Sequence, residues 1–229
     1  HGLPSLGHDL RRCYTDADLR LFANFPELFP ELMESRHASF IGPISWSPPA
    51  DAPLEFARSG RPLVYVTMGS SGDVGVLGSV IEALGAFDCE IVVTTAGRKI
   101  PAELRSSSTR IFDYLPGDQV CRLASLVVCN GGSPTTNQAL AHGVPVLGIA
   151  SNMDQFLNMR AVEEFGAGIL VRGDRARPAR LRAAARALLT HAPYGARARD
   201  LATAAAKRTA SATFAHSIQG LLQGSAPRN

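Results

Sequence analysis

The chain lacks several features that would tie it to a membrane, a metal ion or a nucleic acid. No apolar run approaches the roughly 18 residues that a membrane-spanning helix needs, and a net charge of +3 is too small to indicate a nucleic-acid-binding surface. The cysteines form no CxxC pair or other zinc-ligand spacing: Cys13, Cys89, Cys121 and Cys129. Scattered cysteines are typical of reduced residues, so we expect a cytoplasmic protein without a metal site.

What the chain does have is a regular alternation of short apolar runs and helical stretches. Its 229 residues, 45% of them hydrophobic and 19% charged, are typical of a globular protein with an ample core. We predict strands over 63–68, 90–95, 110–115, 126–129, 145–150 and 167–171. We predict helices over 74–87, 118–124, 134–142, 154–165, 178–190 and 194–222. This alternation indicates an α/β fold, a Rossmann-like parallel sheet with helices on both faces.

The first 40 residues differ from this pattern, and prolines mark a candidate domain boundary after them. Residues 19–25 predict one strand, whereas FPELFPELMES predicts a loop with a short helical turn because prolines interrupt it. The proline-rich stretch 41–53 is a candidate linker, and we interpret Trp46 as its anchor. The chain begins at His1 without a methionine or a signal-peptide pattern, so we expect it to be a piece of a longer protein.

The most informative segment is VVCNGGSPTTNQALAHGVPVLGIA, residues 127–150, which predicts a strand, a helix and a second strand. Ser133 is a natural N-cap, and Pro134 fits the first helical position, where its missing N–H costs nothing. Gly143 ends the helix, and Pro145 prevents its continuation. The helix therefore begins at the carboxyl end of a parallel strand, with free amides and a positive dipole end that favour an anion.

This helix start predicts a phosphate-binding loop. Gly131 and Gly132 let a phosphate approach the backbone, and the hydroxyl groups of Ser133, Thr135 and Thr136 add donors. Ligands of such sheets bind at the carboxyl ends of the strands, near the point where the strand order reverses. Three more polar loops follow predicted strands, with the sequences GSSGD, PGDQ and SNMDQ. We therefore expect a sizeable phosphorylated ligand at this edge of the sheet.

These loops resemble the nucleotide-sugar-binding half of GT-B fold glycosyltransferases, in the branch of the UDP-glycosyltransferases and the macrolide (antibiotic) glycosyltransferases. The resemblance extends over 19–222 and is densest in YVTMGSSGD, YLPGDQV, NGGSPTTNQALAHGVPVLGI and NMDQFLNMRAVEEFGAG. It implies two facing Rossmann-like domains, an N-terminal one for the acceptor and a C-terminal one for the nucleotide-sugar. The implied division is an acceptor-domain remnant over 1–45, a linker over 46–61 and the donor domain over 62–222, closed by the helix at 194–222.

The resemblance also implies a donor site built from the polar loops. The residues expected to bind the nucleotide and its diphosphate are Ser70, Ser71, Tyr114, Leu115, Asn130, Gly131, Gly132, Ser133, Thr135, Thr136 and Gln138. Within this set, Tyr114 and Leu115 match positions that pack on the base, and Gln138 matches a position that binds the ribose hydroxyls. Asp154 and Gln155 match an acid–amide pair that contacts the sugar.

Three departures from the family pattern bear on function. Asn130 stands where many relatives carry a histidine, and its amide donates a hydrogen bond without a positive charge. Gln138 replaces a glutamate, which weakens the hold on the ribose and fits a deoxyribose (dTDP) donor. The general base of the family lies in the N-terminal domain, and neither His1 nor His8 matches its motif, so we expect no catalytic residue in this chain.

These features predict the donor-binding part of an inverting glycosyltransferase that moves a sugar from a UDP- or dTDP-sugar to a small lipophilic acceptor. We expect no cofactor beyond the nucleotide-sugar co-substrate and no metal, because the helix end and hydroxyls take the usual role of a cation. The alternatives are a non-catalytic nucleotide-sugar-binding module, one subunit of a split glycosyltransferase, or, less favoured, a nucleotide-sugar epimerase. The interdomain face of the closing helix predicts self-association or a partner chain.

Overall fold

The computed structural model describes residues 5, 7–9, 12–33, 39–47, 60–104 and 109–223. The elements of its N-terminal part are short: helix α1 (Arg12–Thr15), strand β1 (Leu21–Phe22), a 3-10 turn (Pro26–Leu28), helix α2 (Pro30–Met33) and strand β2 (Ser39–Phe40). Strands β1 and β2 pair in parallel. The strand predicted over 19–25 is therefore much shorter than expected, and the loop with a helical turn is confirmed.

A six-stranded parallel sheet forms the body of the chain. Its strands are β3 (Leu63–Thr67), β4 (Glu90–Thr94), β5 (Thr109–Phe112), β6 (Leu126–Cys129), β7 (Val146–Ala150) and β8 (Gly168–Arg172). Their spatial order is β5-β4-β3-β6-β7-β8. The chain winds outward from β3 to β5 in one direction and from β6 to β8 in the other, so the strand order reverses between β3 and β6. The predicted α/β class and parallel sheet are confirmed.

Helices cover both faces of this sheet. They are α3 (Leu77–Leu84), α4 (Gly117–Leu123), α5 (Ser133–Ala141), α6 (Met153–Phe165), α7 (Pro178–Thr190), α8 (Ala192–Ala206) and α9 (Ala210–Leu222). Helices α3 and α7 pack on one face, whereas α4, α5, α6 and α8 pack on the other. Opposite faces are expected because right-handed crossovers that lead in opposite directions place their helices on opposite sides.

Each face of the sheet has its own hydrophobic core, because successive side chains of a strand point in opposite directions. On β3, Val64 and Val66 belong to the core beneath α3 and α7, whereas Leu63 and Tyr65 belong to the other. All residues of β3 are buried, as are all those of β4, β6 and β7. Burial on both faces explains why these strands read as continuous apolar runs.

The described part of the N-terminal segment packs against the sheet domain. Phe25 is fully buried in the core on the α5 side of the sheet. The Nδ2 of Asn137 on α5 donates to the Ala23 carbonyl at 3.3 Å, and Arg208 Nη2 lies 2.7 Å from Glu27 Oε1. The division into an acceptor-domain remnant, a linker and a donor domain stays a prediction.

The single closing helix predicted over 194–222 is wrong, because the chain forms two helices there. Helix α8 has Lys207 as its C-cap, and α9 has Thr209 as its N-cap. Between them, the Arg208 amide donates to Ala205 O at 2.9 Å, and its side chain pairs with Glu27. No glycine or proline marks the break between α8 and α9. The break coincides instead with the tertiary contact between Arg208 and Glu27.

Candidate functional site at the reversal of strand order

Two loops expected to bind the ligand leave neighbouring strands at the point where the strand order reverses. Thr67 of β3 lies opposite Cys129 of β6. Beyond these residues the chain forms one loop at 69–73 and another at 130–132. In a doubly wound sheet, the crevice outside the carboxyl ends of such a strand pair is the general ligand site. The structure thus brings the GSSGD and NGGS segments together in that crevice.

Helix α5 begins at Ser133, one residue earlier than predicted. Gly132 is the N-cap, with extended backbone at φ −68° and ψ 143°, and Ser133 is already helical and makes no side-chain cap bond. The prediction of Ser133 as N-cap is therefore wrong. Pro134 lacks an N–H, and the amides of Ser133 and Thr135 have no acceptor within the residues that the structure describes. Both residues are half-buried, so the helix end presents free amides and hydroxyls, an arrangement at which anions bind in proteins.

Position 131 requires glycine for two reasons: its backbone conformation and the lack of space for a side chain. Its φ is +82°, in the left-handed region that glycine adopts at no steric cost. A Cβ there would lie 2.5 Å from Met159 Cγ and 3.3 Å from the Gln155 carbonyl oxygen. The loop therefore lies directly on α6, which explains why the chain has glycine where it turns from β6 into α5.

Asn130 holds the loop conformation and connects it to the loop after β3. Its Oδ1 accepts from the Gly132 amide at 3.1 Å, and its Nδ2 donates to Ser71 Oγ at 3.2 Å. Asn130 is 5% exposed, whereas Ser70 and Ser71 are exposed. Asn130 is therefore a neutral bridge between the two loops.

Thr136 and Asn158 support the loop from beneath. Thr136 is fully buried, and its Oγ1 lies 3.1 Å from both the Gly132 and Ser133 carbonyl oxygens. Asn158 on α6 donates from Nδ2 to the Gly131 carbonyl at 2.8 Å and to Thr136 Oγ1 at 2.9 Å. The Thr136 hydroxyl thus faces the protein in this conformation. Asn158 was not among the predicted site residues, because one asparagine on a helix carries no signal of its partners.

The acid–amide pair at the start of α6 divides into one exposed and one buried side chain. Asp154 is exposed, whereas Gln155 is 1% exposed. Gln155 Oε1 accepts from the Ser151 amide at 2.9 Å, and its Nε2 lies 3.4 Å from Ser71 Oγ. Asn152 caps the helix by accepting from the Gln155 amide at 3.0 Å. The structure therefore places Gln155 at the junction of three loops and Asp154 at its solvent side.

The residues expected at the base and ribose lie along the same edge, near β5. Tyr114 is 69% exposed. Its hydroxyl lies next to Gly97, where an added Cβ would be 3.2 Å from the Tyr114 oxygen. Leu115 is half-buried against the core on the α5 side. Gln138 Nε2 donates to the Trp46 carbonyl at 2.8 Å. Trp46 is 77% exposed, so it does not anchor the linker within the residues that the structure describes.

Burial keeps two groups near the 130–132 loop uncharged. Burial raises the pKa of the Cys129 thiol to about 12, although the Gly131 amide donates to its sulfur and opposes the shift. Burial likewise raises the pKa of Tyr65 to about 12 against a hydrogen bond with Thr94. Neither group is a nucleophile or a base at neutral pH. Of the two, Cys129 contacts the loop directly, because its sulfur accepts from the Gly131 amide at 3.3 Å.

Two classes of site are absent from the described residues. Within these residues, no group of three or more histidine, cysteine, aspartate or glutamate side chains is placed to hold a metal ion. None of the helices in that part of the chain has the length and apolar character to span a bilayer. The polar groups at the carboxyl edge include backbone amides, hydroxyls and carboxamides, together with the exposed Asp154 carboxylate.

Comparison with known proteins agrees with this arrangement. Residues 78–221 match the family described as erythromycin biosynthesis protein CIII-like, C-terminal domain. The chain belongs to this family, the C-terminal domain of macrolide-type GT-B glycosyltransferases. The family that the loop motifs predicted is therefore confirmed.

Curated relatives of similar sequence are mycobacterial glycosyltransferases. The chain is 43% identical over 208 residues to a PGL/p-HBAD biosynthesis glycosyltransferase of Mycobacterium tuberculosis, a match that covers 89% of this chain and 48% of the relative. It is 41% identical to a PGL/p-HBAD biosynthesis rhamnosyltransferase of Mycobacterium bovis, over 89% of this chain and 46% of that protein. The chain therefore spans about half the length of the curated relatives it matches.

Solved structures with the same fold are antibiotic glycosyltransferases. The kitacinnamycin glycosyltransferase superposes with a TM-score of 0.78 at 20% identity, covering 96% of this chain and 58% of that one. The calicheamicin glycosyltransferase CalG4 gives 0.75 at 21% identity, over 92% and 53% of the two chains. VinC, solved in complex with dTDP, gives 0.63 at 22% identity, over 80% and 51%. These similarities establish the fold, the C-terminal half of a GT-B glycosyltransferase.

Proposed function

We propose that this chain is the donor-binding part of an inverting glycosyltransferase that moves a sugar from a UDP- or dTDP-sugar to a small lipophilic acceptor. The observation that carries the proposal is the start of α5 at the reversal of strand order. There the amides of Ser133 and Thr135 lack acceptors within the described residues. Membership of a glycosyltransferase family makes a nucleotide-sugar diphosphate the natural anion for them.

The transfer step is a direct displacement at the anomeric carbon of the donor sugar. The acceptor oxygen forms the new bond, the bond to the diphosphate breaks, and the nucleoside diphosphate departs with its electron pair. Helix α5 stabilises that departing charge through its amides and dipole, so no metal or other cofactor is needed. The general base belongs to the acceptor domain, and we assign none of the residues of this chain to that role.

The position of each donor group follows the order of the strands. Tyr114 and Leu115 pack against the base near β5, and Gln138 binds the ribose. The residues on α5 bind the diphosphate, and Asp154 with Gln155 contacts the sugar near β7. A dTDP donor agrees with Gln138 in place of a glutamate, and one structure of the same fold, VinC, contains dTDP. A relative named a rhamnosyltransferase agrees with transfer of a hexose.

The acceptor and any further partner are proposed from the same comparisons. We propose a small lipophilic acceptor bound by the N-terminal domain of a cytoplasmic enzyme. Relatives named for PGL/p-HBAD biosynthesis and structures of antibiotic glycosyltransferases agree with transfer to a natural product. On α9, Phe214 is 47% exposed and Leu222 is 80% exposed. We expect that face to bind a partner chain or a second copy of this one. A concentration-independent monomer mass in light scattering would exclude the second copy.

A non-catalytic nucleotide-sugar-binding module, or one subunit of a split glycosyltransferase, is the alternative function. One relative, from Mycobacterium bovis, is named an inactive PGL/p-HBAD biosynthesis glycosyltransferase and is 43% identical over 89 residues, which are 38% of this chain and 24% of that protein. Both alternatives retain donor binding. A transfer assay with a separately supplied acceptor domain separates a split enzyme from a binding module.

Calorimetric titration of the chain with UDP, dTDP and GDP tests donor binding. We expect affinity on the order of micromolar for UDP or dTDP. Asn130→Ala and Thr135→Ala should each weaken it about tenfold, because one removes the loop support and the other a hydroxyl at the helix start. Thr203→Ala, which changes a threonine on α8, is the matched control. Equal affinity in all four proteins, or no binding by a folded chain, would contradict the proposal.

A further inference from the structure

Arg98 connects the end of β4 to the loop that follows β3. Its Nη1 donates to the Gly72 carbonyl and its Nη2 to the Gly69 carbonyl, each at 2.6 Å. Its Nε lies 3.4 Å from the Thr95 carbonyl. Short hydrogen bonds from a guanidinium are stronger than bonds between neutral groups, and its planar fork suits two acceptors at a fixed spacing. One side chain therefore fixes both ends of the GSSG segment.

A strained turn directs Arg98 at that loop. Ala96 has φ +54° and Gly97 has φ +74°, and the Arg98 amide donates to the Thr95 carbonyl at 3.2 Å. Ala96 is the only non-glycine residue with a positive φ in the described part of the chain. Such backbone strain persists only where the surrounding structure enforces it, and it is concentrated at functional sites. This turn orients the Arg98 side chain so that it makes its two hydrogen bonds to the loop after β3.

The loop that Arg98 holds has little room to adopt another path. Gly69 has φ +56°, and the Gly72 amide donates to the Met68 carbonyl at 2.9 Å. A Cβ on Gly72 would clash with the Met68 carbonyl oxygen and lie 2.7 Å from Asn130 Cβ. Ser71 leaves this tight turn with its Oγ between Asn130 and Gln155. The position of Ser71 therefore depends on the carbonyls that Arg98 binds.

The charge of Arg98 is also not neutralised by an ion pair. Within the described residues its guanidinium contacts backbone carbonyls and no carboxylate. Carbonyl groups satisfy its hydrogen bonds without removing its positive charge. The neighbouring bridge, Asn130, carries no charge. A half-buried cation is therefore hydrogen-bonded to the loop that carries Ser70 and Ser71.

We propose that Arg98 is a positioning residue for the donor cleft. It holds the 69–72 loop so that Ser71 joins Asn130 and Gln155, and it places a positive charge beside the site of the anionic ligand. The ligand part of this inference rests on the proposed function. The loop part does not, because it concerns contacts within the chain.

Amide hydrogen exchange of the ligand-free chain tests the loop part. In Arg98→Met, exchange at Gly69 and Gly72 should rise about tenfold or more, because the two carbonyl contacts are lost while the aliphatic stem is kept. Lys99→Met is the matched control, since it removes a positive charge from the same turn and should leave the loop unchanged. Arg98→Lys keeps the charge but cannot bridge both carbonyls, and it should raise exchange about threefold or more. If Arg98→Met does not fold, the exchange rates measured in Arg98→Lys decide whether Arg98 holds the loop.

Titration with UDP and dTDP tests the ligand part on the same proteins. We expect Arg98→Met to weaken nucleotide binding about tenfold, Arg98→Lys to recover part of it, and Lys99→Met to bind like the original chain. Unchanged loop exchange in both Arg98 variants would overturn the inference, as would faster exchange with unchanged nucleotide affinity. If the original chain binds no nucleotide, the proposed function fails, and the exchange data still decide whether Arg98 holds the loop.

Discussion

Asn130 and Ser71 are joined across the reversal of strand order by a hydrogen bond of 3.2 Å from Nδ2 to Oγ. The same oxygen lies 3.4 Å from Gln155 Nε2. One hydroxyl group therefore connects the loops that follow β3, β6 and β7. These are three of the polar loops that the sequence placed at one edge of the sheet. Their meeting at Ser71 gives the donor cleft a defined centre.

Ser71→Ala should weaken UDP or dTDP binding about three- to tenfold, because the Asn130 and Gln155 amides lose their shared acceptor. The free energy of unfolding should fall by about 0.5–1.5 kcal/mol, because the buried Asn130 and Gln155 amides lose an acceptor that water replaces only in part. Ser70→Ala is the matched comparison, because the neighbouring serine is also exposed and has no such bond in the described structure. Calorimetry measures the nucleotide affinity, and urea unfolding measures the free energy of unfolding. Equal losses of affinity in the two variants would argue against a central role for Ser71.

The two threonines at the start of α5 should separate stability from binding. Thr136→Ala removes a buried hydroxyl that accepts from Asn158, so the free energy of unfolding should fall by about 1–3 kcal/mol. Thr135→Ala should leave stability within about 0.5 kcal/mol and weaken nucleotide binding instead. Chemical denaturation with parallel titration makes the comparison. The reverse assignment would show that Thr136 rather than Thr135 faces the ligand.

Gly131→Ala should lower the free energy of unfolding by about 1–3 kcal/mol, because the new methyl group meets Met159. The positive φ of Gly131 adds backbone strain to this steric cost. Gly78→Ala on α3 is the control, since the nearest atom to its Cβ would be Leu104 Cδ2 at 3.7 Å. That change should be neutral or stabilising by up to about 1 kcal/mol. Thermal unfolding of both variants checks the contrast.

The hydrogen bond between Asp118 and His142 gives a pH-dependent contribution to stability. Burial alone raises the pKa of Asp118, but the hydrogen bond from His142 at 2.8 Å and the nearby Arg122 outweigh it, and the net pKa is lowered. A carboxyl with a lowered pKa in the folded state stabilises the fold above its unfolded pKa of about 3.9, and that contribution is lost as the pH falls through the folded pKa. Asp118→Asn should therefore be less stable than the original chain at neutral pH.

The stability difference between Asp118→Asn and the original chain should shrink as the pH falls below about 4. Urea unfolding between neutral and acidic pH measures it. Glu82→Gln on α3 serves as control, because that exposed carboxylate has no ion pair within the described residues. A difference that stays constant down to the acid limit would mean that packing, rather than charge, stabilises the contact.

The sequence predicted the sheet and the central motif well because their signals are local. Continuous apolar runs identified β3, β4, β6 and β7, and Gly143, with φ +73°, stops α5 as expected. The error at Ser133 has a clear cause. Asn130 Oδ1 accepts a hydrogen bond from the Gly132 amide. Gly132, rather than Ser133, then adopts the extended conformation of the N-cap.

The contacts that shape the site were less accessible to sequence reasoning. Nothing local shows that the Thr136 hydroxyl turns toward Asn158, because helical spacing fixes a face but not a hydrogen-bond partner. Arg98 was not selected, since one arginine in an AGRK turn resembles any solvated cation. The break between α8 and α9 also lacks a stop signal, and it coincides with the pair between Arg208 and Glu27, which are far apart in the chain.

We propose that the start of α5 binds the diphosphate of a nucleotide. This can be tested by amide NMR of the labelled chain during titration with dTDP, UDP and the uncharged nucleoside thymidine. We expect the largest shifts at Ser133 and Thr135 with the diphosphates, accompanied by Ser71, and much smaller ones at these amides with thymidine. Saturable shifts confined to another part of the chain, or equal shifts at these amides with thymidine and dTDP, would contradict it.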